Sequence, residues 1–284
     1  MPLNLAILIL FLSQIYFISV FLPMRHLKQL RQIITKYPPI EYSKLYPVPV
    51  SVIETKLRKY SWLNAAIVLL GLIVIIYGIS SDAKQMLHWD NKSVLTIYFL
   101  LQMVPFVLLD LSWIKHLKLM REVDGNSKRS AELTPRRLFD FVSPIYVWAA
   151  VAAYIAHALI VVYISQNPFE GFGGYWNIVG STTLNLIFIA GIAMTLRGKK
   201  LDPHQSSEDR TQQMARIVTV LVVTSIAASL LLSSSLVLSA LDLRHLEDIF
   251  MVFYFQIIAV LSVGKYLGSQ VNFDVYRTAD TSCQ

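Results

Sequence analysis

The stretch Val94–Trp113, VLTIYFLLQMVPFVLLDLSW, decides the fold predicted for this chain. It is closed on its two sides by Lys92 and Lys115, and about 20 helical residues at 1.5 Å each cross the ~30 Å hydrocarbon core of a bilayer. The stretch carries Gln102 near its middle and Asp110 toward one end. Because polar groups at such depth are costly, we predict a membrane-spanning helix whose polar side chains face protein or water.

The composition extends this prediction to the whole chain. The 284 residues are 55% hydrophobic and only 15% charged, and the mean hydropathy is +0.54. Soluble domains average about 25% charged residues. The composition is therefore typical of an all-α, polytopic membrane protein and not of a large soluble core.

Apolar windows of membrane-spanning length recur seven times, which predicts a bundle of seven transmembrane helices. The predicted spans are Leu3–Leu22, Trp62–Ile79, Val94–Trp113, Val142–Ile164, Trp176–Leu196, Ile217–Leu241 and Ile249–Leu267. The first apolar run has neither a basic n-region nor a small-residue cleavage site, so we expect it to be retained as a span. Residues 1–271 are predicted to form one seven-span domain, and residues 272–284 a short flexible cytoplasmic tail.

The positions of the charges predict the orientation. Of the 25 Lys and Arg residues, all but Lys84, Lys92 and Arg244 fall on one side of the predicted spans. By the positive-inside rule this side is cytoplasmic, so the N-terminus lies outside and the C-terminus in the cytoplasm. The net charge of +7 is thus first a topology signal, and we expect no nucleic-acid partner. The expected partners are the lipid bilayer and its anionic headgroups, at about 1 kcal/mol per nearby basic side chain.

The cytoplasmic segments carry helix signals of their own. Met24–Thr35 has the pattern of a short basic amphipathic helix. Ser51 followed by Glu54 has the spacing of a capping box, which predicts that the second span begins as a helix in the cytoplasm. Residues 206–209 are a second candidate cap, from which an uninterrupted helix is predicted to reach Leu241. We therefore predict helical extensions on the cytoplasmic side.

Four predicted spans that run in the same direction each carry one amide near mid-membrane: Gln14, Gln102, Asn185 and Gln256. These amides either line a cavity or form interhelical hydrogen bonds, which average about 0.6 kcal/mol in membrane proteins. Their recurrence is also a weak sign of a parallel internal repeat, a feature known in transporters.

Two ionisable positions are further candidates. Asp110 and Lys265 lie at similar depths in spans three and seven, so they either form an ion pair or reach the interface separately. His157 is the one histidine inside a predicted span, and it is either a proton relay or a hydrogen-bonded packing residue. We take Asp110, Lys265, Gln102, His157 and Gln256 as the candidate intramembrane polar site.

The sequence offers no pattern for a cofactor, a metal or a catalytic group. The single cysteine, Cys283, excludes an intramolecular disulfide and a cysteine-based metal site. No HExxH, zinc-type spacing, GxGxxG, P-loop or serine-elbow motif occurs. We therefore predict neither cofactor nor metal, and we favour a non-enzymatic role.

Two functions from different classes fit these features, and from the sequence we favour the first, transport, with the second as the alternative. The polar mid-membrane positions and the weak repeat favour a small-solute transporter or channel. The basic cytoplasmic helices and short outer loops favour a sensor, scaffold or assembly protein, with a second copy or another membrane protein as partner. Because the outer loops lack disulfides, we expect a prokaryotic inner (plasma) membrane.

Overall fold

The computed structural model describes residues 4–79, 92–123, 136–198, 200, 202–267 and 272–277, which form helices joined by turns and loops, with no strand among them. The main elements are α1 (Asn4–Gln14), a π-helical segment (Ile15–Phe21), α2 (Leu22–Lys36), α3 (Val50–Ile79), α4 (Lys92–Val123), α5 (Pro144–Ile164), α6 (Trp176–Arg197), α7 (Ser207–Ala240) and α8 (Arg244–Leu267). Short 3₁₀ turns cover Ser43–Leu45, Leu138–Asp140 and Phe273–Tyr276.

Six helices of the described chain are long and apolar enough to cross a membrane. They are Leu5–Lys36, Val50–Ile79, Val94–Val123, Pro144–Ile164, Trp176–Arg197 and Ser207–Ala240. The chain is therefore an all-helical, multi-pass membrane protein. Six of the seven predicted spans coincide with these helices, whereas the seventh falls on α8, which is not among them.

The predicted helical extensions are present, although one predicted cap is wrong. The first span continues without a break through Met24–Thr35 to Lys36. Helix α3 begins at Val50, so Ser51 already lies inside the helix and is not its cap. Ser206 does cap α7, since its hydroxyl accepts a hydrogen bond from the Asp209 N–H at 3.0 Å.

The helices pack in two groups. In the first, α1, the π segment and α2 contact α3 and α8, and α4 packs on both α3 and α8. In the second, α5 and α6 pack mainly along α7. The two groups are joined by contacts between α7 and α8, which form a tight hairpin with a positive φ of 58° at Asp242.

Much of the apolar surface of the second helix group is not covered by other parts of the chain. Large apolar side chains along α5 and α6 are exposed, for example Trp148 at 69% and Met194 at 74%. In a bilayer these surfaces face lipid, because lipid tails are as apolar as the side chains that they contact. The first group has a more complete core, in which Phe99 of α4 stacks on Phe255 of α8 at 4.1 Å.

Most of the basic residues that the structure describes lie at one end of the molecule, here called the basic end. It contains α2, the start of α3, the end of α4 and the start of α7. These segments meet around a small apolar cluster of Tyr42, Leu45, Leu117, Met120 and Tyr276.

Candidate functional site

A buried amide pair lies at the centre of the first helix group. Gln14 Nε2 donates to Gln102 Oε1 at 2.9 Å, and Gln102 Nε2 donates to the Gln14 carbonyl at 3.2 Å and to Ser19 Oγ at 2.9 Å. Both amides are 0% exposed. Two of the predicted site amides therefore bond directly to each other between the first and third spans.

The π-helical segment explains how Gln102 can bond both the Gln14 carbonyl and the Ser19 hydroxyl of the first span. In an α-helix of 3.6 residues per turn, Gln14 and Ser19 would lie about 140° apart around the axis. In a π-helix the hydrogen bonds run between residues five apart, so such residues lie on one face. The segment Ile15–Phe21 thereby turns the Ser19 hydroxyl toward Gln102, next to the Gln14 carbonyl.

The network continues to α3 through a tyrosine. The Tyr98 hydroxyl donates to the Ile67 carbonyl at 2.9 Å and is also a partner of the Ser19 side chain. This approach requires Gly71, because a Cβ there would lie 2.7 Å from Tyr98 Cζ and 2.8 Å from Ile15 Cδ1. One polar chain thus connects the first, second and third spans.

Gln256 is attached to the first span separately. Its Nε2 donates to Ser13 Oγ at 3.0 Å, and Ser13 Oγ donates to the Leu10 carbonyl at 2.7 Å. The side chain lies in the wall of a groove of about 260 Å³ on the outer surface of the helix group. Its other lining residues are apolar: Phe17, Phe253, Ile257, Val260 and Leu261. Gln256 is therefore near the amide pair but belongs to a lipid-facing groove.

The predicted ion pair stays a prediction. Asp110 is half-buried on α4. Lys265 lies on α8, but its side chain is outside the described residues.

His157 lies in the second helix group, apart from the other candidates. Its Nε2 is 3.4 Å from the Asn177 carbonyl, and its Nδ1 is 3.3 Å from Ser233 Oγ. The ring is 1% exposed, so both nitrogens have partners in a closed site. These contacts are those of a packing histidine, while a relay role stays a prediction.

The fourth amide, Asn185, also bonds to another helix. Ser225 Oγ of α7 donates to Asn185 Oδ1 at 2.5 Å, and Asn185 Nδ2 donates to the Ser181 carbonyl at 2.9 Å. The four amides therefore form interhelical hydrogen bonds at three separate places and do not form one ring.

A carboxylate that the sequence analysis did not select joins the two groups. Glu247 of α8 is 6% exposed and accepts hydrogen bonds from Ser235 and Ser239, four residues apart on α7. The next residue, Asp248, is 1% exposed. The sequence does contain a pattern that could have predicted this contact: two hydroxyl residues four apart on α7, followed after a tight turn by an acidic residue at the start of α8.

The basic end is closed by a cap formed by residues 37–49, the end of α4, and residues 202–204 and 272–277. The Tyr276 hydroxyl donates to Asp202 Oδ2, and the His204 N–H donates to Asp202 Oδ1 at 2.9 Å. The His116 ring bonds the Leu45 carbonyl at 3.1 Å, and Phe273 stacks on Tyr37 at 4.2 Å. Residues expected to form a flexible tail thus include a packed turn.

Tyr276 is held in its neutral form within this cap. Burial raises the pKa of its phenol, and the neighbouring Asp202 carboxylate raises it further. The residue is 4% exposed and reaches a loop of the second helix group from the chain segment that follows α8. The cap therefore connects the two groups at the basic end, as Glu247 does at the opposite end.

Among the described residues, no group of three or more His, Cys, Asp or Glu could hold a metal ion. Comparison with family models, with curated proteins and with solved structures finds no match to this chain.

Proposed function

We propose that the chain is a seven-span protein with α8 as the seventh span. The proposal is supported by the packing of α8 against the first span and α4, which includes the pairs Thr96–Met251 and Ser13–Gln256. By the positive-inside rule, the basic end faces the cytoplasm and the N-terminus lies outside. We place the protein in a prokaryotic-type inner membrane. Its single cysteine cannot form an intramolecular disulfide, so its folding does not require an oxidising compartment.

Orientation can be tested with the native cysteine. Cys283 is expected to react with a membrane-impermeant maleimide only after cells are permeabilised, because it follows the cytoplasmic cap. Labelling in intact cells would place the C-terminus outside and overturn the orientation.

Within this frame the protein acts through its cytoplasmic face as a sensor or assembly protein and does not conduct a solute. The ordered cap carries this proposal, because four separate chain segments are brought together there around a buried tyrosine. An ordered surface of this kind suits recognition of a partner, which is either a second copy or another membrane protein. The sealed amide pair supports the proposal from inside the membrane, since Gln14 and Gln102 bond each other.

The two functional classes differ in whether water reaches the amide network. In a Cys283→Ser background, Ser19→Cys and Ser229→Cys place thiols at positions that are 3% and 0% exposed, with little change in volume. We expect neither to react with a water-soluble thiol reagent, whereas Ser51→Cys, at an exposed position of α3, reacts fully. Rapid labelling of Ser19→Cys would indicate an aqueous path and overturn the non-transporting function.

The partner itself can be sought with a photo-crosslinking residue at Ile40, which is 91% exposed on the cap. Met194, 74% exposed on the lipid-facing side of α6, is the matched control. We expect a cross-linked product of one defined mass from Ile40 and not from Met194. It should be lost in Tyr276→Ala, which removes the anchor of the cap; the same product from Met194 would contradict a role for this face.

A small-solute transporter or channel is the second candidate, and two observations favour it. Gln14 Oε1 and Ser229 Oγ are buried and have no hydrogen-bond partner among the described residues. Buried polar atoms are usually satisfied by protein or by water, so an unmet acceptor at mid-membrane is a place where water could enter. The same labelling experiment decides between the candidates.

A further inference from the structure

We propose that the cap contains a peptide-binding pocket, which residues 272–277 fill within the chain and which a segment of a partner protein can occupy in their place. Residues 272–277 are here called the tail turn. The ligand is a short turn that carries a phenylalanine and a tyrosine three residues apart. The proposal rests on the proposed function of the cap as a recognition surface. The tail turn contacts six residues that form the pocket: Tyr37, Tyr42, Leu45, Leu117, Met120 and Asp202.

The walls of the pocket are held by contacts that do not involve the tail turn. The Tyr46 hydroxyl donates to the Tyr37 carbonyl at 2.7 Å, and the Tyr37 ring makes a T-shaped contact with Tyr42 at 5.0 Å. On the α4 side, the His116 ring bonds the Leu45 carbonyl at 3.1 Å. These contacts remain when the tail turn leaves, so the pocket is preorganised for binding.

The tail turn determines its own conformation, as a short recognition motif does. The Asp274 N–H donates to Asn272 Oδ1 at 3.0 Å, and the Arg277 N–H donates to the Asp274 carbonyl at 3.1 Å. In a 3₁₀ turn, residues three apart lie on the same side, so Phe273 and Tyr276 project together. The centroids of their rings are 6.1 Å apart. A separate peptide with this sequence can therefore present both rings in the same way.

Each of the two aromatic rings meets a matching group in the pocket. Phe273 stacks on Tyr37 at 4.2 Å. The Tyr276 hydroxyl donates to the Asp202 carboxylate, which is 8% exposed and also accepts a hydrogen bond from the His204 N–H at 2.9 Å. Because a buried carboxylate that loses a donor is costly, the pocket selects tyrosine over phenylalanine at this position.

The tail turn is held less firmly than the walls of the pocket. Besides the contacts of its two rings, it is linked to α7 by a hydrogen bond of 3.4 Å from the Asn272 N–H to Asp209 Oδ2. Its polar residues Asn272, Asp274 and Arg277 are exposed. Segments with few buried contacts open at a lower free energy than packed helices, so the tail turn can leave without displacing α2 or α4. Four residues separate Leu267 from Asn272, so a released turn stays near the pocket and competes with a partner's segment.

The test uses the full chain in detergent micelles and a fluorescein-labelled peptide of residues 271–278, with fluorescence polarisation as the measurement. The opened variant, Phe273→Ala with Tyr276→Ala, empties the pocket without changing its walls and should bind the peptide. A tethered turn competes at an effective concentration of about 1 mM. A peptide with a dissociation constant of about 100 µM should therefore bind the wild-type chain roughly tenfold more weakly than the opened variant.

Variants of the peptide locate the binding site without altering the protein. In the opened variant, a peptide with Tyr276→Phe should bind several-fold more weakly than the unaltered peptide, and Asp202→Ala in the protein should remove this difference. The matched control is Phe139→Ala with Tyr146→Ala, which removes the same residue types from exposed positions outside the cap. Its affinity for the peptide should equal that of the wild-type chain.

Three results would overturn the proposal. Absence of peptide binding to the opened variant would make the tail turn only a structural part of the cap, while the cross-link from Ile40 would still test recognition by the cap. Equal affinities of the tyrosine and phenylalanine peptides would place the binding outside this pocket. A dimer of the wild-type chain that is lost in the opened variant would assign the pocket to the tail turn of a second copy and not to a partner's segment.

Discussion

Replacement of Gly71 by alanine tests the central helix contact of the first group. The added Cβ would lie 2.7 Å from Tyr98 Cζ and 2.8 Å from Ile15 Cδ1, which is roughly 0.6–0.7 Å inside the 3.4 Å at which ordinary contact begins. Tyr98 has little freedom to withdraw, because it is 3% exposed and its hydroxyl is bonded to the Ile67 carbonyl. The variant must therefore either displace α3 or break this hydrogen bond.

Three effects set the magnitude. Overpacking costs about 1–3 kcal/mol, and loss of the Tyr98 hydrogen bond costs about 1 kcal/mol more. The better helix propensity of alanine offsets about 1 kcal/mol. We expect Gly71→Ala to lower the free energy of unfolding by about 1–3 kcal/mol.

Gly180→Ala is the matched control, since nothing lies within 4 Å of a Cβ at that position. We expect it to be neutral or to stabilise the chain by up to about 1 kcal/mol. Unfolding in mixed micelles with increasing SDS, followed by far-ultraviolet circular dichroism, measures both variants. Equal unfolding free energies for the two would refute the close approach. In a Tyr98→Ala background we expect a smaller cost of Gly71→Ala, because only the contact with Ile15 Cδ1 remains.

Three further variants test the polar contacts with the same unfolding assay. Gln102→Leu removes three hydrogen bonds and should lower the free energy of unfolding by about 2 kcal/mol, whereas Gln256→Leu removes one and should lower it by about 0.6 kcal/mol. Equal losses in the two variants would contradict the network around Gln102. Ser235→Ala removes a donor to the Glu247 carboxylate and should cost about 1.5–3 kcal/mol, while Ser234→Ala removes only a bond to its own helix at the Leu230 carbonyl and should be nearly neutral. The raised pKa of Tyr276 keeps its phenol protonated in the folded chain above the ordinary pKa of 10.0, whereas the unfolded chain loses the proton there. The stability of the wild-type chain should therefore fall more steeply above pH 10 than that of Tyr276→Phe. Identical slopes would show that Tyr276 is not buried beside Asp202.

The sequence was sufficient for the helices because their signals are local. Apolar runs such as Val94–Trp113 and the capping signal at Ser206 depend only on neighbouring residues, and both predictions are confirmed by α4 and α7. The π segment could not be predicted in this way. Residues 15–21 are almost entirely apolar, so a change in the face that points inward leaves no change in hydrophobic pattern.

The contacts of the polar residues depend on the fold and were predicted only as residue types. Gln102 was selected as an amide, but its partners Gln14 and Ser19 lie more than 80 residues away along the chain. Tyr276 gave no signal at all, because its burial depends on Asp202 in a distant loop. Such partners follow from helix packing, which a single sequence does not encode in any local pattern.

Polar pairs nevertheless account for how these apolar helices select their neighbours. Lipid tails are as apolar as leucine, so burial of apolar surface gives little preference for one helix over another in a membrane. A buried amide, hydroxyl or carboxylate does give a preference, because it costs several kcal/mol if left unpaired in hydrocarbon. Gln14 with Gln102 fixes the first group, and Ser225 with Asn185 fixes the second.

Polar pairs also join the two helix groups to each other, one pair at each end of the molecule. Ser235 with Glu247 joins α7 to α8, and Tyr276 with Asp202 joins the chain segment after α8 to the loop before α7. Removal of either pair should loosen one end while the other stays closed, since each pair lies within its own packed surroundings. A double variant, Ser235→Ala with Tyr276→Phe, should therefore lose the sum of the two single effects, because well-separated sites are additive within about 0.3–0.5 kcal/mol. A loss clearly larger than the sum would show that the two ends are coupled through α7 and α8 and would contradict their independence.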